Sequence, residues 1–341
     1  MPSPSLAAIR ASNAAFFRSS SSSSLNSTTI PTAVFVGGTS GIGEGMAVAF
    51  AQHTEGKSNI ILVGRNHAAA ERILASLPSP PPSPASSTKI DPKPAREFIQ
   101  CDATLMENVN RASSEILAQH PKINYLVLTP GFSTLSGRDE TPEGIDKKLA
   151  VHYYARWKFL YDLLPGLERA KEAGEQAAAI SVMAAGRGGE VDLEDLGLKR
   201  GYTLSKVAKA APTYNDLMIE SFAERAPSLT FIHAYPGIVR TSLGSSSPSP
   251  TLRLLSPLVL PLFRPFSVSH LDCGEYMWYG LTGTAKGRAG AWRTWKRGED
   301  LGKEGYFGGE EAKRRLWEHT LEVMRDALGE EGGQAGKLSS A

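Results

Sequence analysis

The sequence predicts an α/β fold: a doubly wound parallel sheet with helices on both faces, in three α/β/α layers. Three observations carry that expectation. Short apolar runs alternate with helix-period segments along most of the 341 residues. The runs are continuously apolar, as in Asn59–Val63 (N-I-I-L-V), which is how strands buried on both faces read. A glycine-rich turn, Gly37 to Gly43, joins the first run to the first helical segment.

In chain order, strands are predicted at Thr32–Val36, Asn59–Val63, Glu97–Gln100, Ile123–Leu128, Ala178–Met183 and Leu229–Ala234, with a last one at Ala291–Trp295. Helices are predicted at Met46–Gln52, His67–Leu77 (stopped by Pro78), Leu105–Gln119, Pro142–Leu164, Thr203–Arg225, Asp272–Leu281 and Glu310–Leu328. Strand–helix repetition with right-handed crossovers yields the doubly wound sheet. One domain is expected over residues 31–328, with a proline/serine insertion at 78–95 as an exposed loop and a frayed tail at 329–341. The first 30 residues are serine-rich and carry Arg10 and Arg18 but no acid. They read as a disordered tail. The alternative, a mitochondrial presequence, is weakened by Pro2, Pro4 and the run Ser19 to Ser24, which interrupt an amphipathic helix.

Composition narrows the function classes. The chain is 41% hydrophobic and 21% charged, ordinary for a globular protein. Setting Arg10 and Arg18 aside, the remaining basic residues of the 37 balance the 35 acidic ones. Nothing there asks for nucleic acid or an anionic membrane. The longest apolar stretch, Leu254 to Phe263, is broken by Pro257 and Pro261 and is too short for a membrane span. Cys101 and Cys273 form no close pair, so no metal site or disulfide framework is expected. A reducing, cytoplasmic setting is the natural reading, with mitochondrial import as the alternative.

The chemistry begins at Val36-Gly37-Gly38-Thr39-Ser40-Gly41-Ile42-Gly43, between a strand and a helix. Gly37 permits the tight turn, Gly41 lets backbone approach a pyrophosphate, and Gly43 lets the helix pack on the sheet. Thr39, Ser40 and Ile42 fill out a phosphate cradle at the helix N-terminus. It reads as a Rossmann-type dinucleotide site; the alternative is a glycine-rich turn with no ligand. At the end of the second strand an acid would favour NAD, but the chain has Val63-Gly64-Arg65-Asn66. Arg65 fits a ribose 2′-phosphate and so NADP(H); the alternative is a solvated surface arginine.

The spacing Gly-x-x-x-Gly-x-Gly resembles that of the short-chain dehydrogenases/reductases, and further matches follow in order across residues 32–241. Asp102 matches the family's aspartate near the adenine ring. Gly131, in Thr129-Pro130-Gly131, is the residue retained from the family's Asn-Asn-Ala-Gly. Tyr202 and Lys206 match its Tyr-x-x-x-Lys. Pro236, Gly237, Val239 and Thr241 match its Pro-Gly…Thr segment, which passes the nicotinamide.

The resemblance implies that Tyr202 is the general acid and that Lys206 tunes it and holds the ribose. Four residues apart, the two are expected one turn apart on one helix face, the ammonium lowering the phenol pKa. Besides Thr129-Pro130, the chain departs from the pattern at two catalytic positions. Ala184 stands where the family has its serine, and losing such an oxyanion donor costs about 2.7–4 kcal/mol. Ser181 falls on the opposite face of the strand. His152 stands in place of the family's asparagine, either in a proton relay from Lys206 or simply as a packed helix residue.

The segment between Ala184 and Tyr202 is longer than the family's and reads as a loop at the substrate mouth, its carboxylates Asp192, Glu194 and Asp195 solvated. Residues 245–270 read as an apolar substrate lid; a dimer contact and a shallow membrane dip are the alternatives. The expectation is an NADP(H)-dependent carbonyl/alcohol oxidoreductase on an apolar small molecule, similar to divergent fungal members of secondary metabolism. Family analogy suggests a homo-oligomer. Two alternatives remain: a dinucleotide-binding scaffold, or a non-redox dehydration or cyclisation.

Overall fold

In the computed structural model, residues 4–22, 30–81, 93–241 and 267–329 are described. The elements are α1 (Leu6–Ser22), β1 (Thr32–Val36), α2 (Gly41–His53), β2 (Asn59–Gly64), α3 (His67–Ser76), β3 (Arg96–Gln100), α4 (Met106–Gln119) and β4 (Tyr125–Leu128). Then come α5 (Lys147–Leu149), a π-helical turn (Ala150–Tyr154), α6 (Ala155–Glu172), β5 (Ala178–Val182), α7 (Leu204–Arg225) and β6 (Thr230–Ala234). The chain closes with β7 (Val239–Arg240), β8 (Val268–Ser269), α8 (His270–Tyr279), a second π turn (Gly280–Ala285), β9 (Gly290–Thr294) and α9 (Glu310–Leu328).

Seven strands form one parallel sheet in the order β3-β2-β1-β4-β5-β6-β9. The order reverses between β1 and β4, which opens a crevice at the strands' carboxyl ends. Successive β1 residues serve opposite faces: Val34 and Val36 join the core under α4, α6, α7 and α9, while Ala33 and Phe35 join that under α1, α2 and α8. The predicted strands are all present. Helix α2 begins at Gly41 rather than Met46, because its first turn is built from the glycines of the cradle.

The N-terminal segment differs from expectation: α1 is a helix docked against α2, α8 and the second π turn. Ile9, Asn13 and Phe17, spaced to share one face, are each at most 2% exposed. The Phe17 ring meets Phe50, Tyr125 and Trp278 edge-on at 5.1–5.5 Å. The Asn13 amide donates to the Glu275 carboxylate at 2.7 Å and its main-chain oxygen at 3.0 Å. Pro4 precedes the helix and Ser19 to Ser22 form its last turn, so neither interrupts it; Pro2, Ser23 and Ser24 lie outside the described residues.

Helix α8 fixes α2. A Cβ on Gly45 would lie 2.0 Å from the His270 carbonyl oxygen, and one on Gly274 would lie 2.4 Å from the Gly45 carbonyl carbon, so the two backbones are in contact. Trp278 Nε1 donates to the Met46 carbonyl at 2.8 Å. The middle of the 78–95 insertion (82–92), residues 242–266, which include most of the 245–270 lid, and the last residues (330–341) lie outside the described residues.

Candidate active site at the carboxyl edge of the sheet

A cleft of about 340 Å³ opens at the crevice where the strand order reverses. Of the residues singled out in the sequence, Gly37, Thr39, Ser40, Gly41, Ile42, Arg65, Asp102, Gly131, Pro236 and Thr241 line it. Gly43, Gly237 and Val239 do not, but Gly43 supports it: a Cβ there would lie 2.5 Å from the Gly37 oxygen. Gly37 has φ +80° and Gly41 φ +60°, conformations that favour glycine. Ser40, the N-cap of α2, makes no side-chain cap bond, so its hydroxyl leaves the first-turn amides facing the cleft uncapped.

Arg65 is exposed and makes no ion pair among the described residues. Its neighbour Asn66 caps α3 by accepting from the Ala69 amide at 3.0 Å, which fixes the backbone from which Arg65 projects. Asp102 Oδ1 accepts from the Thr104 amide and hydroxyl at 3.0 and 2.9 Å.

At the other end the lining is Pro130, Phe132, Val151, His152, Arg156 and Met183. Burial, then Arg156 and Lys148, push the His152 imidazole down to about 3, so it is neutral at pH 7. A standing imidazolium is therefore absent there, and the ring packs beside Phe132 with centres 5.9 Å apart.

Arg156, which the sequence reading did not single out, is only 2% exposed. Its guanidinium donates to the carbonyls of Leu128 (3.0 Å), Pro130 (2.7 Å) and Val182 (2.9 Å) and to Ser181 Oγ (2.7 Å). Burial lowers it to about 9. Ser181 Oγ donates on to Asn215 Oδ1 at 2.7 Å, and Asn215 Nδ2 donates to the His152 carbonyl at 2.8 Å. Ser181 does not line the cleft, and its hydroxyl is held between Arg156 and Asn215.

Behind Ala184 lies a second buried group. His233 Nε2 accepts from the Ala184 amide at 3.2 Å, so Nδ1 carries the hydrogen that Asp216 accepts at 2.6 Å. Arg293 pairs with the same carboxylate oxygen at 2.9 Å. The Ala184 amide is therefore spent internally.

Neither Tyr202 nor Lys206 lines the cleft. Two expectations about them are corrected. They do not share a helix face, because Thr203 is the N-cap of α7 and Tyr202 precedes the first turn. The phenol is not lowered but raised to about 12, by burial first and then by the Asp146 carboxylate. Lys206 is exposed, whereas the ammonium of Lys148 stands 5.4 Å from the centre of the Tyr202 ring. The Tyr202 hydroxyl is buried without a hydrogen bond of normal geometry. Asp195, expected to be solvated, is buried and accepts from the amides of Lys199, Arg200 and Gly201, shaping the turn that delivers Tyr202.

No helix among the described residues is long and apolar enough to cross a membrane, and no cluster there could hold a metal ion. No family model matches the chain. An oxidoreductase of Emericella nidulans is 38% identical over 245 residues, 72% of this chain and 69% of that one. A short-chain dehydrogenase/reductase of Stachybotrys chartarum is 30% identical over 276 residues, 75% of this chain and 74% of that one. An alcohol dehydrogenase from the archaeon Thermococcus sibiricus, complexed with 5-hydroxy-NADP, shares the fold at TM-score 0.54 and 17% identity, over 80% of this chain and all of that one.

Proposed function

Because the chain belongs to the short-chain dehydrogenase/reductase family, we propose that it is an NADP(H)-dependent oxidoreductase interconverting a carbonyl and an alcohol on an apolar small molecule. The observation that carries this reading is one cleft holding the glycine cradle, the uncapped start of α2 and the unpaired Arg65. These residues fit a dinucleotide phosphate: a side chain at Gly41 would crowd Thr241 Cγ2 at 3.1 Å, on ground that backbone must leave to the ligand. Arg65 would take the 2′-phosphate and Asp102 would sit near the adenine. That leaves the end lined by Pro130, His152 and Met183 for the nicotinamide half. When bound, the nicotinamide supplies or accepts a hydride.

In reduction, Tyr202 donates the proton to the forming alkoxide. A phenol pushed up to about 12, by burial and by the Asp146 carboxylate, keeps its proton at neutral pH. Reaching substrate requires the segment ahead of α7 to carry Tyr202 and Lys206 toward the cleft, where Lys206 would hold the ribose. The apolar substrate class is supported by Phe132 and Met183 at the reacting end and by the composition of Leu254 to Phe263. The test is consumption of NADPH with a panel of apolar ketones and aldehydes. A second reading, a dinucleotide-binding scaffold, is favoured by Lys206 standing exposed outside the cleft. Tight NADPH binding with no turnover on any carbonyl would leave the scaffold in possession.

A further inference from the structure

Arg156 is a buried cation with no carboxylate within ion-pair distance among the described residues. Desolvating a charge without a counter-ion is costly, and here carbonyl dipoles offset it. The choice of carbonyls is informative. Those of Leu128 and Pro130 leave β4, that of Val182 ends β5, and α6 carries the guanidinium beneath both strand ends. The brace then continues through Ser181 and Asn215 to the His152 carbonyl, in the π-helical turn where regular i to i−4 bonding is broken. Pro130, His152 and Val182, three of its anchor points, line the same end of the cleft, and Arg156 lines it with them.

Resting on the dinucleotide reading above, we propose that Arg156 is a positioning residue that sets the floor under the nicotinamide half of the cofactor. It acts by holding the Pro130 and Val182 carbonyls and, through Ser181 and Asn215, the His152 carbonyl at fixed separation. Arg65 and Asp102, which would hold the adenosine half, make no hydrogen bond with this network, whereas Gly37 of the cradle packs against Pro130. The adenosine half therefore binds independently of it.

That separation gives the test. Arg156→Met keeps much of the side-chain volume and removes every donor. Arg156→Lys keeps the charge but has one ammonium to serve acceptors that a planar fork serves at once. Each is titrated with NADPH and NADH, and with their adenosine halves, adenosine 2′,5′-bisphosphate and ADP, by fluorescence and calorimetry. The preferred dinucleotide should bind at least about tenfold more weakly, the scale of one hydrogen bond lost to the nicotinamide half when the floor beneath it shifts, while its adenosine half stays within about twofold. Equal weakening of both would overturn the proposal, since a general loss of structure moves both. No weakening of either would also overturn it. If Arg156→Met does not fold, Arg156→Lys decides by the same comparison. Failure of the wild-type chain to bind any dinucleotide is a distinct outcome, and it removes the cofactor reading and this proposal together.

Discussion

Acidification from pH 8 to pH 5 should cost the fold about 2 kcal/mol through His152 alone. The imidazole titrates near 3 in the folded chain against an ordinary 6.5, chiefly through burial and then the neighbouring Arg156 and Lys148. A depressed histidine means that the unfolded chain binds a proton that the folded chain refuses. Its contribution is thus neutral above pH 6.5 and increasingly destabilising as pH falls toward 3. Each unit in that window is worth about 1.4 kcal/mol, so pH 5 gives about 2. Urea or thermal unfolding of the wild type and of His152→Asn at both pH values measures it. The wild type should lose about 2 kcal/mol more than the variant between the two, on the order of 4 °C in midpoint. His233, also held below its ordinary value by burial, is present in both proteins and cancels. Parallel losses would refute the reasoning and place a solvated, protonatable imidazole in the cleft.

Three further outcomes are expected. Arg65→Ala should weaken NADPH binding roughly 10- to 100-fold, the scale of a charge-assisted phosphate contact, and leave NADH nearly unchanged; equal losses would defeat the 2′-phosphate assignment. Tyr202→Phe should abolish carbonyl reduction at unaltered dinucleotide affinity, and full residual turnover would remove Tyr202 from the chemistry. Phe17→Ala should destabilise the protein by about 3–5 kcal/mol in equilibrium unfolding, as for a buried aromatic. A change below about 1 kcal/mol would mean that α1 does not stabilise the helix layer formed by α2 and α8.

Much of this was legible in the sequence because it is local. The strands are continuous apolar runs, and the cradle needs glycine at Gly37 and Gly41 for backbone reasons that any reading of the turn exposes. Helix α1 was obscured by serine content, although Ile9, Asn13 and Phe17 carried helical spacing in plain view. The start of α7 was also readable in hindsight: Thr203 Oγ1 accepts from the Lys206 amide at 3.1 Å, a cap that places Tyr202 ahead of the helix. Arg156 had no comparable signal. Between Ala155 and Trp157 it reads as one charge on an amphipathic helix. Its role depends on two strand ends converging beneath it, which is a property of the sheet order. The Asp216–His233–Arg293 group is equally non-local, drawn from α7, β6 and β9.

The most direct measurement is a fluorescence titration of the wild-type protein with NADPH and, separately, with NADH. Tight binding that favours NADPH is the expected result, with Arg65 and the cradle at the start of α2 as its source. No binding of either dinucleotide would contradict the central claim that this cleft is a cofactor site.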